Sequence, residues 1–124
     1  KKGLEELHDD LVAQLESVFP SKGTTGGSLA FKGKIGNGGA RVILSLLPFE
    51  SEAKQGLKFQ VYTKRLAEYC GITTERVESL LPASHEEWTY WAAVNDPEID
   101  DWRGFQGFFK TFEEEANFAE GISG

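Results

Sequence analysis

The stretch SLAFKGKIGNGGARVILSLLP, residues 28–48, decides the fold. Leu29, Phe31 and Ile35 alternate with Ala30, Lys32 and Lys34, which is the period of a β-strand with one buried face. Asn-Gly is the dipeptide best suited to the positive backbone angles of a tight hairpin turn. Leu57–Tyr62 alternates in the same way. These segments predict a three-stranded antiparallel meander, with strands at 29–35, 40–47 and 57–62.

The alternation assigns the side chains of the meander to two faces. The apolar face is predicted to carry Leu29, Phe31, Val42, Leu44, Leu46, Leu57, Phe59 and Val61. The opposite face is predicted to carry Lys32, Lys34, Arg41, Lys58, Gln60 and Tyr62. Its lysines and arginine would suit phosphate contacts, and its tyrosine would suit stacking on a base, so this face is a candidate for nucleic-acid binding. A solvated outer face, or cover by an acidic helix, are the alternatives.

Helical periods flank the meander. Apolar residues at three- and four-residue steps predict an amphipathic helix over 3–19, which Pro20 ends. Residues 21–27 have the composition of a flexible loop. Near the other terminus, Asp96-Pro97-Glu98 is a good helix start. A C-terminal helix that runs to about residue 119 is predicted from the stripe of Ile99, Trp102, Phe105, Phe109 and Phe112.

Residues 65–82 read RLAEYCGITTERVESLLP and resemble the helix-turn-helix unit of DNA-binding domains. The resemblance rests on the spacing of Leu66, Ala67, Cys70, Gly71, Ile72, Val77 and Leu80. It implies that Thr73, Thr74, Arg76 and Ser79 would face bases or phosphates. The same spacing is explained by two helices that close over the end of the sheet. We favour this scaffold interpretation and keep Arg76 as the residue of the second helix to test.

The segment after Pro82 gives two signals. Ser84-His85-Glu86-Glu87 has the spacing of a helix capping box. Trp88-Thr89-Tyr90-Trp91 has the aromatic and β-branched content of a strand. We predict a fourth strand over residues 87–94.

The formal net charge is −7, but the charges are unevenly distributed. Residues 22–65 hold eight basic and two acidic side chains, whereas residues 83–124 hold two basic and ten acidic ones. A basic middle and an acidic end either neutralise each other within the fold or present two faces to partners.

Length and composition bound the class of protein. At 124 residues the chain can bury one core, so 1–124 is predicted to be a single domain. It has no apolar run long enough to span a bilayer and no signal-peptide pattern. Cys70 is the only cysteine, which favours a reducing compartment. We therefore expect a cytoplasmic protein with no membrane partner.

Motifs for catalysis and metal binding are scarce. His8 and His85 are far apart, and Cys70 is alone, so no metal site is expected. The glycine-rich segment 33–39 lacks the residue order of a phosphate-binding loop and lies between two predicted strands. No Gly-x-Ser-x-Gly motif occurs. We expect no cofactor and no catalytic residue, although carboxylates that meet only in three dimensions would escape this interpretation.

Aromatic residues are concentrated near the acidic end. Not all of them fit one helical stripe, so some are expected to face outward or to line a groove. These candidate binding residues are Trp88, Tyr90, Trp91, Trp102 and Phe108. A protein interface, a small-molecule pocket around the three tryptophans, and ordinary core packing are the alternatives.

The sequence as a whole predicts an α+β fold: an N-terminal helix, the meander, the helix pair and a C-terminal helix on the apolar face of the sheet. The preferred functional hypothesis is a non-catalytic binding or regulatory domain that acts through protein contacts, as a homodimer. Nucleic-acid binding, through the basic face or the helix pair, is the first alternative. Small-molecule binding in an aromatic pocket is the second.

Overall fold

The structure is a computed structural model that describes residues 2–25, 27–36, 39–51, 54–90 and 102–123. Its helices are α1 (Lys2–Leu15), α2 (Thr63–Cys70), α3 (Thr74–Ser79) and α4 (Phe112–Ser123), with a short 3-10 helix at Pro48–Glu50. Its strands are β1 (Ser21–Thr25), β2 (Ser28–Lys34), β3 (Ala40–Leu46), β4 (Leu57–Tyr62), β5 (Glu86–Thr89) and β6 (Arg103–Phe109). The predicted α+β class is confirmed.

The described strands form one antiparallel sheet in the order β1-β2-β3-β4-β6-β5. The predicted meander is confirmed as β2, β3 and β4, and β4 has the predicted bounds. The turn at Asn37-Gly38 lies outside the described residues. None of the helices in the described part of the chain is long and apolar enough to cross a membrane.

The core lies between one face of the sheet and the helices, and we call this face the inner face. α1 places Leu7, Leu11 and Leu15 against it, and α4 adds Phe118. The ring of Phe109 on β6 lies 4.8 Å from that of Phe59 and 5.5 Å from that of Phe118, measured between centroids. Burying large apolar side chains is the main favourable term in folding, so this layer carries most of the stability.

A β-bulge in β3 changes the predicted faces. Phe31 pairs with Leu44, but the next residue, Lys32, pairs with Val42, so Ile43 is an extra residue. Ile43 and Leu44 are both fully buried. The bulge therefore reverses the alternation beyond it. Val42 lies on the face opposite the core rather than on the apolar face, and the prediction that Arg41 shares a face with Lys32 is wrong.

The helix pair packs against the end of the sheet, as the scaffold interpretation predicts. α2 contacts β3, β4 and β6, and α3 packs on α2. Gly71 ends α2 with a φ of 70°, the left-handed conformation that glycine adopts without a steric cost. Thr73 caps α3 by accepting a hydrogen bond from the backbone N–H of Arg76.

Two elements differ from the prediction. Residues 21–27 were expected to be a loop, but Ser21–Thr25 pairs along its whole length with β2. Residues 103–109 were expected to be helical, but they form β6 between β4 and β5. Phe105 and Phe109 are four residues apart, a spacing that fits one face of a strand as well as one face of a helix. The C-terminal helix begins only at Phe112.

The predicted fourth strand is observed as β5, although it covers only Glu86–Thr89. Residues 91–101, which include the proposed helix start at Asp96-Pro97-Glu98, lie outside the described residues. Ser84 does not cap a helix. Its hydroxyl donates to the carbonyl of Phe108 and accepts from the amide of Phe108, both at 2.9 Å, so it ties the entrance of β5 to the end of β6.

Candidate binding face of the sheet

The face of the sheet opposite the core is the candidate site, and we call it the outer face. α1 and α4 pack on the inner face, and the helix pair closes the end of the sheet. Among the described elements, no helix packs along the outer face, and only the start of α2 reaches its end, where Arg65 lies over Tyr62. Strand register decides which side chains it presents, because alternate residues of each strand point to the same side.

The middle of the outer face is a row that crosses every described strand in register. The row consists of Gly23, Ala30, Ser45, Gln60, Gln106 and Glu86. Only its last member, at the edge of the sheet, is charged. The amide nitrogen of Gln60 lies 3.5 Å from the amide oxygen of Gln106, at the limit of a hydrogen bond. Except for Glu86 at the edge, the row therefore carries uncharged side chains, unlike an ordinary solvated sheet face.

Aromatic side chains occupy one end of the outer face. The ring of Tyr62 lies 5.5 Å from that of Trp88 and 6.1 Å from that of Trp102. The ring of Tyr90 lies 4.7 Å from that of Trp102. Tyr62 is buried, whereas the other three are half-buried. We call these four residues the aromatic cluster.

Arg65 on α2 packs against the aromatic cluster, although the sequence did not single it out. Its guanidinium carbon lies 4.4 Å from the ring centre of Tyr62 and 5.0 Å from that of Trp102. It donates a 2.8 Å hydrogen bond to the carbonyl of Val42, beside the bulge. Only 5% of Arg65 is exposed. A desolvated cation over two aromatic faces contributes about 2 kcal/mol or more, so Arg65 fixes the cluster against the bulged strand.

The predicted aromatic binding residues are only partly brought together. Trp88, Tyr90 and Trp102 lie in the aromatic cluster. Phe108 lies on the outer face at the opposite end of β6, paired in register with Lys58. Trp91 lies outside the described residues.

Of the basic residues predicted on one sheet face, Lys32, Lys34 and Lys58 lie on the outer face, and Arg41 does not. Lys32 and Lys34 lie on the outer face near the β1 edge, whereas Arg41 pairs with Gly33 and so shares the inner side. Lys58 forms a 2.8 Å ion pair with Glu50, and its side chain is only 19% exposed. Arg76 is exposed on α3, at the end of the sheet. Three predicted basic residues therefore share the outer face, and one of them, Lys58, is paired with Glu50.

Titratable groups with shifted pKa values lie away from the outer face. Burial raises the pKa of the Cys70 thiol to about 11, so at neutral pH it is not a thiolate nucleophile. No cluster of three or more potential ligands for a metal ion occurs among the described residues. Cys70 is therefore not an activated nucleophile at neutral pH.

Glu115 on α4 is the most perturbed group, and it is fully buried. Its pKa is raised to about 9, first by burial, then by side-chain hydrogen bonding between its protonated form and Asp10 on α1, and by the negative charges of Asp10 and Glu114. Neither oxygen of Glu115 reaches hydrogen-bond geometry with a described residue, so the interaction with Asp10 is a weak one. Glu115 is thus a neutral acid at pH 7, held between two helices.

Comparisons with known proteins add no assignment to this geometry: no protein-family model, no curated protein and no solved structure matches the chain.

Proposed function

We propose that this chain is a non-catalytic binding domain that acts through protein contacts on its outer sheet face. The observation that supports the proposal is the middle row of that face, whose central side chains are uncharged and which has half-buried aromatic side chains beside it. Aromatic residues and arginine are enriched at protein interfaces, and charged residues are depleted at interface centres. A solvated face would instead carry charged side chains at its centre.

The partner that we propose is a second copy of the chain. A homodimer needs a surface that complements itself, and the outer face combines small residues, large residues and both signs of charge. Size-exclusion chromatography with light scattering tests this proposal. The expected mass rises with concentration from 13.7 kDa towards twice that value.

A matched pair of substitutions locates the contact. Gln60→Arg places a charge at the centre of the outer face, whereas Gln55→Arg makes the same change in an exposed turn. We expect the first variant to remain monomeric and the second to associate like the wild type, because an unpaired charge buried in an interface is costly. Equal association of both variants would show that the contact lies elsewhere on the molecule. A chain that is monomeric at all concentrations would refute the proposed homodimer.

Nucleic-acid binding stays the alternative, supported by Lys32 and Lys34 on the outer face. Fluorescence anisotropy with labelled DNA and RNA at several salt concentrations distinguishes it, because phosphate contacts weaken steeply as salt rises. Because Arg41 lies on the inner side and Lys58 is paired with Glu50, we expect weak binding even at low salt. Tight, salt-dependent binding that Lys32→Glu abolishes would favour nucleic acid over the protein partner.

A further inference from the structure

The outer face is divided into two halves of different relief. On the half formed by β1, β2 and β3, the side chains other than Lys32 and Lys34 are small. They are Ser21, Gly23, Ser28, Ala30, Val42 and Ser45. The half formed by β4, β6 and β5 carries large ones apart from Gly104. They are Lys58, Gln60, Tyr62, Gln106, Phe108, Glu86 and Trp88. We call these the shallow half and the raised half.

A two-fold axis between two stacked copies can run parallel or perpendicular to the strands, and only the parallel axis places shallow halves against raised halves. An axis parallel to the strands and between β3 and β4 places β1 over β5, β2 over β6 and β3 over β4 of a second copy. Each shallow half then receives a raised half. An axis perpendicular to the strands would instead set each strand on itself, so that large residues would meet large ones and small residues would meet small ones.

The positions of the charged residues Lys32 and Glu86 favour the same axis. A symmetry axis parallel to the strands keeps each row at its own height, so Glu86 at one end of the middle row would face Gly23 at the other end. The ammonium group of Lys32 lies above Gly23, because a Cβ built on that glycine would be 3.5 Å from Lys32 Nζ. Neither Lys32 nor Glu86 has an ion-pair partner among the described residues. The axis thus brings an acid of one copy onto a base of the other, twice per dimer.

We infer that two copies pack through their outer faces about a two-fold axis parallel to the strands, with the shallow half of each against the raised half of the other and Lys32 of each against Glu86 of the other. The inference rests on the proposed function. Aligned packing of two sheets about 10 Å apart is an ordinary arrangement.

The size of the face sets the expected strength of the contact. Six strands about 4.8 Å apart and about six residues of height give a footprint of roughly 600 Å² per copy. This is near the lower end for specific interfaces, where weak and transient complexes are found. We expect a dissociation constant in the micromolar range rather than the nanomolar one.

Charge reversal across the axis tests the arrangement. We expect Lys32→Glu and Glu86→Lys, each alone, to weaken self-association roughly tenfold or more, because each sets like charges together twice per dimer. An equimolar mixture of the two variants is expected to recover association as a heterodimer, and the double variant K32E/E86K is expected to recover it as a homodimer. Lys54→Glu, in an exposed turn, is the matched control and is expected to associate like the wild type.

The outcomes separate this inference from the proposed function. If the wild type dimerises but the mixture and the double variant stay as weak as the single variants, the two-fold arrangement is wrong and the dimer stands. The two-fold arrangement is also wrong, and the dimer also stands, if both single variants dimerise normally. A strictly monomeric wild type overturns both. Circular dichroism melts of each variant check that the fold is intact, and both substituted side chains are solvent-accessible, so we expect unchanged melting.

Discussion

Arg65 shows how one residue joins the core to the candidate site. It opens the segment that resembles a helix-turn-helix unit, yet its side chain points back to the sheet and not towards a DNA groove. Its partners are the carbonyl of Val42 and the rings of Tyr62 and Trp102. Tyr62 is three residues away, but Val42 and Trp102 are distant in sequence. The sequence could not identify this role, because it depends on contacts that only the folded sheet creates.

Replacing Arg65 tests the stacking contribution. Arg65→Lys keeps the charge but loses the planar group that lies on two rings. We expect a loss of about 1–3 kcal/mol in the free energy of unfolding, measured with urea, together with a change in tryptophan emission. Arg76→Lys, at an exposed position on α3, is the control and should stay within about 0.5 kcal/mol of the wild type. If both variants were equally stable, the cation–π contacts would contribute nothing.

Glu115 makes the stability depend on pH. Its pKa is about 9 in the folded chain and 4.5 when unperturbed, so between these values the folded state holds a proton that the unfolded state releases. Its contribution is fully present below pH 4.5 and is lost as pH rises towards 9. The slope is at most about 1.4 kcal/mol per pH unit, the value for one proton.

Glu115→Gln removes that proton linkage. We expect the wild type to lose stability between pH 6 and pH 8.5 in urea titrations, and the glutamine variant to lose less. Glu113→Gln, an exposed substitution on the same helix, is expected to keep the wild-type slope. Identical slopes for the wild type and Glu115→Gln would show that Glu115 is ionised in the folded state.

Among the strands, those with a clear pattern in the sequence were predicted, and those without one were missed or mistaken for another element. β2 and β4 were predicted because hydrophobic and polar residues alternate within them, and β3 was predicted as the return strand after Asn37-Gly38. β1 is polar, and it is a strand because its backbone pairs with β2 and not because of its side chains. β6 was mistaken for helix because a four-residue spacing of phenylalanines fits both periods. The bulge at Ile43 left no signal in a continuous apolar run.

Gly104 holds β6 close to β4. A Cβ at this position would lie 1.7 Å from the carbonyl oxygen of Val61, which is backbone and cannot move aside cheaply. We therefore expect Gly104→Ala to cost at least about 2 kcal/mol in unfolding free energy. Gly39→Ala, where nothing lies within 4 Å, is the control and should change stability by less than about 1 kcal/mol. Equal stabilities would mean that the two strands separate easily.

At the scale of the whole molecule, the sheet has one face committed to the core and one free of described helices. The sequence identified the aromatic surplus, and three of its members meet in the aromatic cluster. It also suggested a basic face, which the bulge and the Lys58–Glu50 ion pair divide. The contrast between the shallow and raised halves could not be predicted from the sequence, because it depends on the strand order β1-β2-β3-β4-β6-β5.

A dilution series followed by amide NMR shows whether the outer face binds a second copy. Between about 20 µM and about 1 mM, which spans the expected dissociation constant, the amides of Ser45, Gln60 and Gln106 should shift with concentration. The amides of Leu11 and Phe118, on helices behind the sheet, should not. Spectra that are independent of concentration, or shifts confined to α1 and α4, would contradict the account.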